Sequence, residues 1–261
     1  MGVLPGVRGL LIDLEGTVYE AGRPVAGARE ALAELSRRGV PHVFVTNTTS
    51  RPRRALVSEL AAMEIEVPAE RIFTAPLAAR EYLIGRGWLR CHLLVRPAVF
   101  EDLSAIESDD VSPQAVVVGD VGEEFSYERL NRAFRFLLNG AELVTLARNR
   151  FYRAADGLVL DQGPFVAALE QASGKEAILV GKPAPIFYGS AVAALGLPAS
   201  QIAVIGDDLE TEVGGAQAAG MRGILVRTGK FRERELSRSP IRPDAILGSL
   251  AEVEGLISDS V

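Results

Sequence analysis

The sequence is poor in cysteine, histidine and tryptophan. Of its 261 residues, one is cysteine, two are histidine and one is tryptophan. A single cysteine, Cys91, excludes an intramolecular disulfide and a cluster of thiolate metal ligands. A chain that needs no disulfide suits a reducing compartment, so we predict a cytoplasmic protein.

The sequence also lacks long apolar runs and an excess of positive charge. No uninterrupted apolar segment approaches the ~20 residues that cross a bilayer, and the first residues do not combine a basic segment with a long apolar one, as a secretory leader does. The formal net charge is −6, which disfavours general affinity for nucleic acid or for an acidic membrane. We therefore expect neither nucleic acid nor a membrane as a partner. An anionic ligand would have to bind at a local site with positive charge or hydrogen-bond donors.

What is present is an ordinary globular composition, with 48% apolar and 24% charged residues. Short apolar runs alternate with helical patterns, which predicts an α/β fold around a parallel sheet whose strands are buried on both faces. The strongest predicted strands of the outer parts of the chain are GLLID (9–13), HVFVT (42–46), IAVIG (202–206), GILVR (223–227) and DAIL (244–247).

The middle of the chain contains a second α/β set that interrupts the first. Its predicted elements are HLLV (92–95), AVVVG (115–119), YERLNRAFRFLLNG (127–140), ELVTLA (142–147) and GPFVAALEQASG (163–174). Because this set lies between two parts that each supply half of one sheet, we predict an inserted domain over 89–176 and a core formed by 1–88 and 177–261.

Polar residues follow several predicted strands of the core, where a parallel sheet usually binds its ligand. Asp13 and Asp207 offer hard carboxylate oxygens, which Mg²⁺ prefers together with water and substrate phosphate. Thr46 and Asn47 can hold phosphate oxygens, and Lys182 adds a positive charge. Taken alone, Asp13 at the end of a strand is more often a turn residue than a catalytic one.

Four segments in order, DLEGT (13–17), VTNTTS (45–50), GKP (181–183) and GDDLETEVGGAQAAGM (206–221), resemble the four motifs of the haloacid dehalogenase superfamily of phosphatases. Further phrases resemble its branch with a type IIA cap. The resemblance implies a Rossmann-like core, an α/β cap, a small phosphorylated substrate and Mg²⁺ as cofactor. Homodimerisation through the cap is implied by the resemblance as well.

The same resemblance assigns roles to individual residues. Asp13 is the expected nucleophile that forms an aspartyl-phosphate, and Glu15 the expected acid and base. Thr46 and Asn47 bind and orient the phosphoryl group, and Lys182 pairs with Asp13. The expected Mg²⁺ ligands are Asp13, the backbone carbonyl of Glu15, and Asp207.

Two positions depart from the family pattern, since Glu15 and Glu212 stand where the family has aspartate. Glutamate keeps the carboxyl group but moves its oxygens by roughly 1 Å, and an error of that size can cost about a hundredfold in rate. Glu212 could support the metal indirectly or stabilise a helix N-terminus. A catalytically weak phosphate-binding protein and a carbon–halogen hydrolase are therefore the alternative hypotheses.

Several other polar residues have no assigned chemistry in the sequence. His42, His92 and Cys91 are predicted to be structural, and the segment 227–238 is predicted to lie on the surface. The basic segment 147–153 is either a solvated loop or a segment that attracts an anionic substrate.

Overall fold

The computed structural model describes residues 4–154 and 157–256, which form two α/β units. Its strands are β1 (Gly9–Asp13), β2 (Tyr19–Glu20), β3 (Arg23–Pro24), β4 (His42–Thr46), β5 (Ile72–Thr74), β6 (Arg90–Leu94), β7 (Glu107–Ser108), β8 (Ala115–Val118), β9 (Glu142–Thr145), β10 (Phe151–Ala154), β11 (Gly157–Leu160), β12 (Ile178–Leu179), β13 (Ile202–Gly206), β14 (Arg222–Val226) and β15 (Ala245–Leu247). Its α-helices are α1 (Ala28–Arg37), α2 (Arg53–Ala62), α3 (Ala75–Arg86), α4 (Tyr127–Leu138), α5 (Gly163–Ser173), α6 (Pro185–Leu195), α7 (Gly215–Ala218) and α8 (Glu233–Arg238).

The first unit, which we call the core, is built on a six-stranded sheet with the order β15-β14-β13-β1-β4-β5. Strand β1 lies at its centre and pairs in parallel with β13 on one side and β4 on the other. All residues of these three strands are buried, as expected for strands covered on both faces. The unit comprises the described residues up to Thr46, Arg54–Phe73 and those from Lys182 onwards.

Helix α1 shows how the sequence produces the layers of the core. Ala28, Leu32 and Leu35 recur at helical spacing and are buried, so the apolar stripe of the helix packs on the sheet. The charged residues of α1 lie on its other face, where Glu34 and Arg37 pair one turn apart. The helix ends before Gly39, whose φ of +66° suits a residue without a Cβ.

The second unit, which we call the cap unit, contains a five-stranded parallel sheet with the order β12-β9-β8-β6-β7. Helices α4 and α5 cover one face, and their buried side chains share a core with those of the central strands. An antiparallel hairpin, β10–β11, exposes the apolar side chains Phe151, Leu158 and Leu160. The unit comprises Asn47–Arg53 and Thr74–Gly181.

The predicted α/β class and the parallel core sheet are confirmed. Each predicted strand is present, and its ends lie within two residues of their predicted positions. The predicted domain boundaries, 1–88 with 177–261 and 89–176, do not coincide with the limits of the units. Contacts assign α3 and β12 to the cap unit, and β12 pairs with β9 as an edge strand of its sheet. Among the described residues, no helix is both long and apolar enough to span a bilayer.

Candidate active site

The carboxyl edge of the core sheet gathers most of the predicted site residues. Asp13 is the last residue of β1 and lies opposite Val45 in the register, so Thr46, the last residue of β4, follows directly. On the other side of β1, strand β13 ends at Gly206 and is followed by Asp207. Parallel pairing therefore places Asp13, Thr46 and Asp207 at one edge, because each follows the end of a neighbouring strand.

Lys182 lies inside this edge and joins two carboxylates. Its Nζ is 2.5 Å from Asp13 Oδ1 and 2.8 Å from Glu212 Oε1, with hydrogen-bond geometry to both. All three residues are buried, with exposed fractions of 3% for Lys182, 5% for Asp13 and 3% for Glu212. The predicted pairing of Lys182 with Asp13 is therefore present, and Glu212 is a second partner.

Burial and charge act against each other on these groups. Burial lowers the pKa of the Lys182 ammonium, but the charges of Asp13 and Glu212 outweigh it, so that this pKa lies above its ordinary value. Burial raises the pKa of Glu212, although Lys182 acts in the opposite direction. Lys182 is thus a permanent cation that neutralises part of the negative charge at this edge.

Asp207 lies where the segment after β14 approaches the loop after β1. Its Oδ2 accepts the backbone N–H of Lys230 at 2.6 Å. A Cβ at Gly16 or at Gly229 would stand 2.0 Å from the same oxygen, and both glycines have positive φ. Burial, followed by repulsion from Asp13 and Glu212, raises the pKa of Asp207 to about 7.

The segment after Asp207 explains how Glu212 reaches Lys182. Asp208 begins a π-helical turn, Leu209–Gly214, and its Oδ1 accepts the N–H groups of Glu210 and Thr211, so it is the N-cap residue of this turn. Glu212 Oε2 accepts the Asp208 N–H at 3.0 Å, which leaves its other oxygen for Lys182. A Cβ at Gly206 would meet Glu212 Cγ at 2.1 Å, so glycine makes room for this carboxylate.

Glu15 differs from Asp13 in its surroundings. It is exposed, and its Oε1 lies 3.3 Å from the backbone N–H of Ala21, which belongs to the turn between β2 and β3. Asp13 and Glu15 therefore do not form a matched pair, since one is buried beside Lys182 and the other meets solvent. An exposed carboxyl group can exchange protons with water.

The two predicted phosphate ligands fall in different units. Thr46 is 4% exposed and belongs to the core. Asn47 is the first residue of the cap unit, where a Cβ at Gly181 would lie 2.9 Å from its side-chain oxygen.

The residues of this edge suit a hard divalent cation. Three buried carboxylates, those of Asp13, Asp207 and Glu212, lie at this edge, and the buried ammonium of Lys182 pairs with the first and the last of them. Burial is the largest cause of the raised pKa of Asp207, and repulsion from Asp13 and Glu212 adds to it. A divalent cation would relieve that repulsion. No group of three Asp, Glu, His or Cys side chains within the described ranges is spaced to ligate a metal by itself. Mg²⁺ commonly keeps several waters beside one or two carboxylates, so Asp13 and Asp207 are a sufficient protein contribution.

The sequence did not indicate that the segment 228–230 contributes to the site. Thr228 donates its hydroxyl to the Gly16 carbonyl at 2.5 Å, and Gly229 donates its N–H to Glu20. The Lys230 side chain is exposed, as predicted for a surface segment, but its backbone orients Asp207. The available signal was the Thr-Gly pair directly after an apolar strand, which marks a turn at the ligand-binding edge.

Comparison with known proteins yields two family matches within the chain. A model of haloacid dehalogenase-like hydrolases matches residues 10–106, and a second, of HAD-hydrolase-like proteins, matches residues 179–253. Both matches contain residues of the edge just described, with Asp13 and Thr46 in the first and Lys182 and Asp207 in the second.

Individual relatives match over most of their length. The chain is 40% identical to phospholysine phosphohistidine inorganic pyrophosphate phosphatase of Rattus norvegicus, over 97% of this chain and 95% of that protein. It is 42% identical to haloacid dehalogenase-like hydrolase domain-containing protein 2 of Homo sapiens, over 89% of this chain and 88% of that protein. The crystal structure of 4-nitrophenylphosphatase from Thermotoga maritima superposes with a TM-score of 0.91 at 28% identity, covering 97% of this chain and 98% of the other.

Proposed function

The chain belongs to the haloacid dehalogenase-like hydrolases, and on that premise we propose that it is a Mg²⁺-dependent phosphatase acting through Asp13. The observation that carries the proposal is the buried contact of 2.5 Å between Asp13 and Lys182 at the carboxyl edge of the sheet. A carboxylate is a weak nucleophile, and an adjacent fixed cation reduces its repulsion from an incoming phosphate.

In the first step, an Asp13 oxygen forms a bond to phosphorus while the bond between phosphorus and the leaving atom breaks. Glu15 gives its proton to the leaving atom, and Asp13 carries the phosphoryl group as an aspartyl-phosphate. Lys182 compensates negative charge on the phosphoryl oxygens, and Thr46 donates its hydroxyl to one of them. Asn47 orients the same group.

In the second step, water attacks phosphorus and the bond to Asp13 breaks. Glu15 takes a proton from that water, which returns the acid to its starting form and releases inorganic phosphate. Its exposed position supports both roles, because the carboxyl group stays in contact with solvent. Glu212 keeps Lys182 in place and does not touch the substrate in this scheme.

Asp13, the backbone carbonyl of Glu15 and Asp207 are the proposed ligands of Mg²⁺, which when bound neutralises charge on the phosphoryl oxygens. The hydrogen bond from the Lys230 N–H to Asp207 Oδ2 fixes the orientation of that carboxylate.

The substrate class is proposed from the relatives named above. One acts, by its name, on phospholysine, phosphohistidine and inorganic pyrophosphate, and another on 4-nitrophenyl phosphate. We propose small phosphate monoesters, phosphoramidates or pyrophosphate as substrates for this chain.

The test is a panel of p-nitrophenyl phosphate, pyrophosphate, phosphohistidine, phospholysine and a sugar phosphate, each with and without Mg²⁺. Asp13→Asn is expected to lower phosphate release at least about a thousandfold, since it removes the nucleophile. Asp244→Asn is the matched control and is expected to retain activity, because Asp244 precedes β15 and bonds to Gly223 and Arg222. Acid quenching of wild type should trap a phosphorylated peptide that contains Asp13.

Glu15→Gln is expected to lower the rate about a hundredfold or more, whereas Glu15→Asp keeps the acid and shortens its reach. If wild type releases phosphate from no substrate and Glu15→Asp does, the chain is a phosphate-binding protein and the proposal is wrong. Turnover of a haloacid without Mg²⁺ would favour the carbon–halogen hydrolase instead.

Two further features belong to this proposal. The exposed apolar side chains of the β10–β11 hairpin support a homodimer formed through the cap unit, to be measured by light scattering of wild type and Leu158→Lys. The single cysteine, which is buried and free, supports a cytoplasmic location.

A further inference from the structure

The core has a cavity far from the carboxyl edge of its sheet. It lies beside the first half of β4, between α1 and the segment that joins α2 to β5, and its volume is about 240 Å³. His42 and Phe44 of β4 line it, whereas the catalytic Thr46 ends the same strand. Four residues of strand span about 13 Å, so the cavity and the proposed catalytic site lie at opposite ends of β4.

The lining combines apolar and polar side chains in equal number. Leu32, Phe44, Ile65 and Val67 supply apolar surface. Arg29 and Glu64 also line the cavity but form an ion pair with each other at 2.5 Å, so their charges are balanced. The exposed side chains of Ser36 and Glu66 complete the polar part of the lining. Small-molecule sites usually combine apolar walls with a small number of polar groups that fix the orientation of the ligand, and this cavity offers both.

His42 lines this cavity and has one ring nitrogen that can accept a hydrogen bond. The residue is 5% exposed, and its Nδ1 lies 2.8 Å from the carbonyl oxygen of Val40. Burial, followed by the charge of Arg71, lowers the pKa of His42, so the imidazole is neutral at pH 7. Since a carbonyl oxygen can only accept, Nδ1 must hold the proton, and Nε2 is left as an acceptor. Within the part of the chain that the structure describes, Nε2 has no hydrogen-bond partner.

Arg71 supplies the charge at the same end of the cavity. It lines the cavity and is the charged side chain whose field acts on His42. Its guanidinium has no ion-pair partner among residues 4–154 and 157–256. An unpaired guanidinium is a strong donor to a carboxylate, especially beside an apolar surface.

We propose that this cavity binds a small organic acid that has an apolar body and a hydroxyl group. The carboxylate is held by Arg71, the hydroxyl donates to His42 Nε2, and the apolar body lies on Phe44, Ile65 and Val67. Engineered cavities of about 150 Å³ hold benzene and drug-sized pockets begin near about 300 Å³, so the volume suits one ring with a short side chain.

The probe is 3-phenyllactate, which has one ring, a carboxylate and an adjacent hydroxyl. Titration is followed by the backbone NMR signals of Ile65 and Val67. The expected dissociation constant is on the order of a few millimolar, as for other ligands of this size. The probe has no phosphate, so this experiment is independent of whether the chain is a phosphatase.

Two analogues and two variants test the assigned contacts. 3-Phenylpropane-1,2-diol, which lacks the carboxylate, and the variant Arg71→Gln should each weaken binding about tenfold. 3-Phenylpropanoate, which lacks the hydroxyl, should bind about fivefold more weakly. Ala33→Phe places a ring in the cavity from an exposed position of α1 and should abolish the shifts. Arg8→Gln removes an exposed arginine outside the cavity and should bind as wild type does.

The proposal is overturned if 3-phenyllactate shifts neither signal in wild type at 20-fold the expected constant. It is also overturned if Arg71→Gln binds as tightly as Arg8→Gln, or if Ala33→Phe leaves the titration unchanged. Because Ala33 and Arg71 are both exposed, neither variant is expected to unfold the core, and a melting curve checks this directly.

Discussion

Lys182 lies between two carboxylates in the interior, where charge is costly. Removing one member of a buried ionic group leaves the others without compensation, and this typically costs more than the group contributed when complete. Asp13 and Glu212 are both within 2.8 Å of the Lys182 ammonium, so a neutral residue at 182 exposes each to the repulsion of the other. The residue proposed to assist catalysis therefore also stabilises the fold.

We expect Lys182→Met to lower the free energy of unfolding by about 3 to 5 kcal/mol in urea denaturation. Lys175→Met is the matched control, since Lys175 pairs with Glu142 at the surface and its loss should cost less than about 1 kcal/mol. Equal destabilisation by the two variants would contradict the structural role of Lys182.

His92 shows a second buried group whose protonation is linked to folding. Its Nδ1 is 2.6 Å from Asp110 Oδ1, and its ring packs on Phe136. The Nε2 atom is buried without a partner in the described part of the chain. Burial lowers the pKa of His92 although Asp110 opposes the shift, so the folded protein keeps the ring neutral where the unfolded chain takes up a proton.

The pKa of His92 is lower in the folded state than in the unfolded chain, where it is about 6.5. The free energy of unfolding therefore decreases as the pH falls below about 6.5, because only the unfolded chain readily takes up this proton. Between pH 7.5 and pH 5.5 this contribution changes by up to about 1.4 kcal/mol. His92→Phe keeps the ring contact and removes the proton site, so the difference in unfolding free energy between variant and wild type should move in favour of the variant at pH 5.5. A difference that does not change with pH would show that His92 titrates alike in both states.

The residues at the carboxyl edge of the core sheet were easier to predict from the sequence than the contacts between them. Asp13, Thr46 and Asp207 were predictable because each follows an apolar strand, and parallel strands end at one edge. The hydrogen bond that Lys182 donates to Glu212 was not predictable from the sequence. The residues after Asp208 form a π-helical turn, and the direction of the Glu212 side chain depends on that local helix type.

At the scale of elements, the close approach of two loops determines the position of Asp207. The loop after β1 contributes Gly16, and the segment after β14 contributes Gly229, each with positive φ and without room for a Cβ. Thr228 bonds to the Gly16 carbonyl and so fastens one loop to the other. The orientation of Asp207, a proposed metal ligand, therefore depends on both turns.

Gly229→Ala is expected to displace Asp207, because the added Cβ would stand 2.0 Å from Oδ2. We expect loss of activity and loss of the rise in melting temperature caused by Mg²⁺. Gly39→Ala is the control, since Gly39 has a similar φ of +66° but open space around it, and should cost about 1 to 2 kcal/mol with activity retained. If both variants keep the response to Mg²⁺, the contact does not orient Asp207.

The strands of the two sheets were predictable from apolar runs, but the β10–β11 hairpin was not. A strand with one buried face shows alternating apolar and polar residues, and this hairpin, whose apolar side chains are exposed, does not show that pattern. The basic residues around 147–153 also favoured a loop. The Asp-Gly dipeptide at 156–157, between two segments rich in aromatic and aliphatic residues, is a sequence signal for a hairpin that would have indicated it.

At the scale of the whole molecule, the cap unit has its own sheet and its own apolar core. Its limits include α3 and β12, which the predicted domain 89–176 omits. The omission has a physical cause, since α3 has too little contrast between its faces to be assigned from sequence, and β12 is only two residues long. Pairing of β12 with β9 covers an edge of the cap sheet that would otherwise be open.

We expect the fragment 74–181 to unfold cooperatively on heating and to melt above the fragment 89–176. The longer fragment retains α3 and the β12 edge strand. Of the cap unit it lacks only the segment Asn47–Arg53, in which the Thr49 hydroxyl donates to Gln162 in the whole chain. Circular dichroism measures both transitions. A higher melting temperature for 89–176 would place the domain boundary where the sequence predicted it.

The position of β1 at the centre of the core sheet has a consequence for biosynthesis. One neighbour of β1, strand β4, leaves the ribosome soon after it, but the other, β13, lies about 190 residues later, after the whole cap unit. At ordinary translation rates this interval lasts roughly 10 to 40 s. During that time one edge of β1 has no strand to pair with, and Asp13 has not yet formed its ion pair with Lys182. The cap sheet can be complete before the core sheet closes, so the nascent chain acquires its inserted unit before the carboxyl edge that carries the proposed active site.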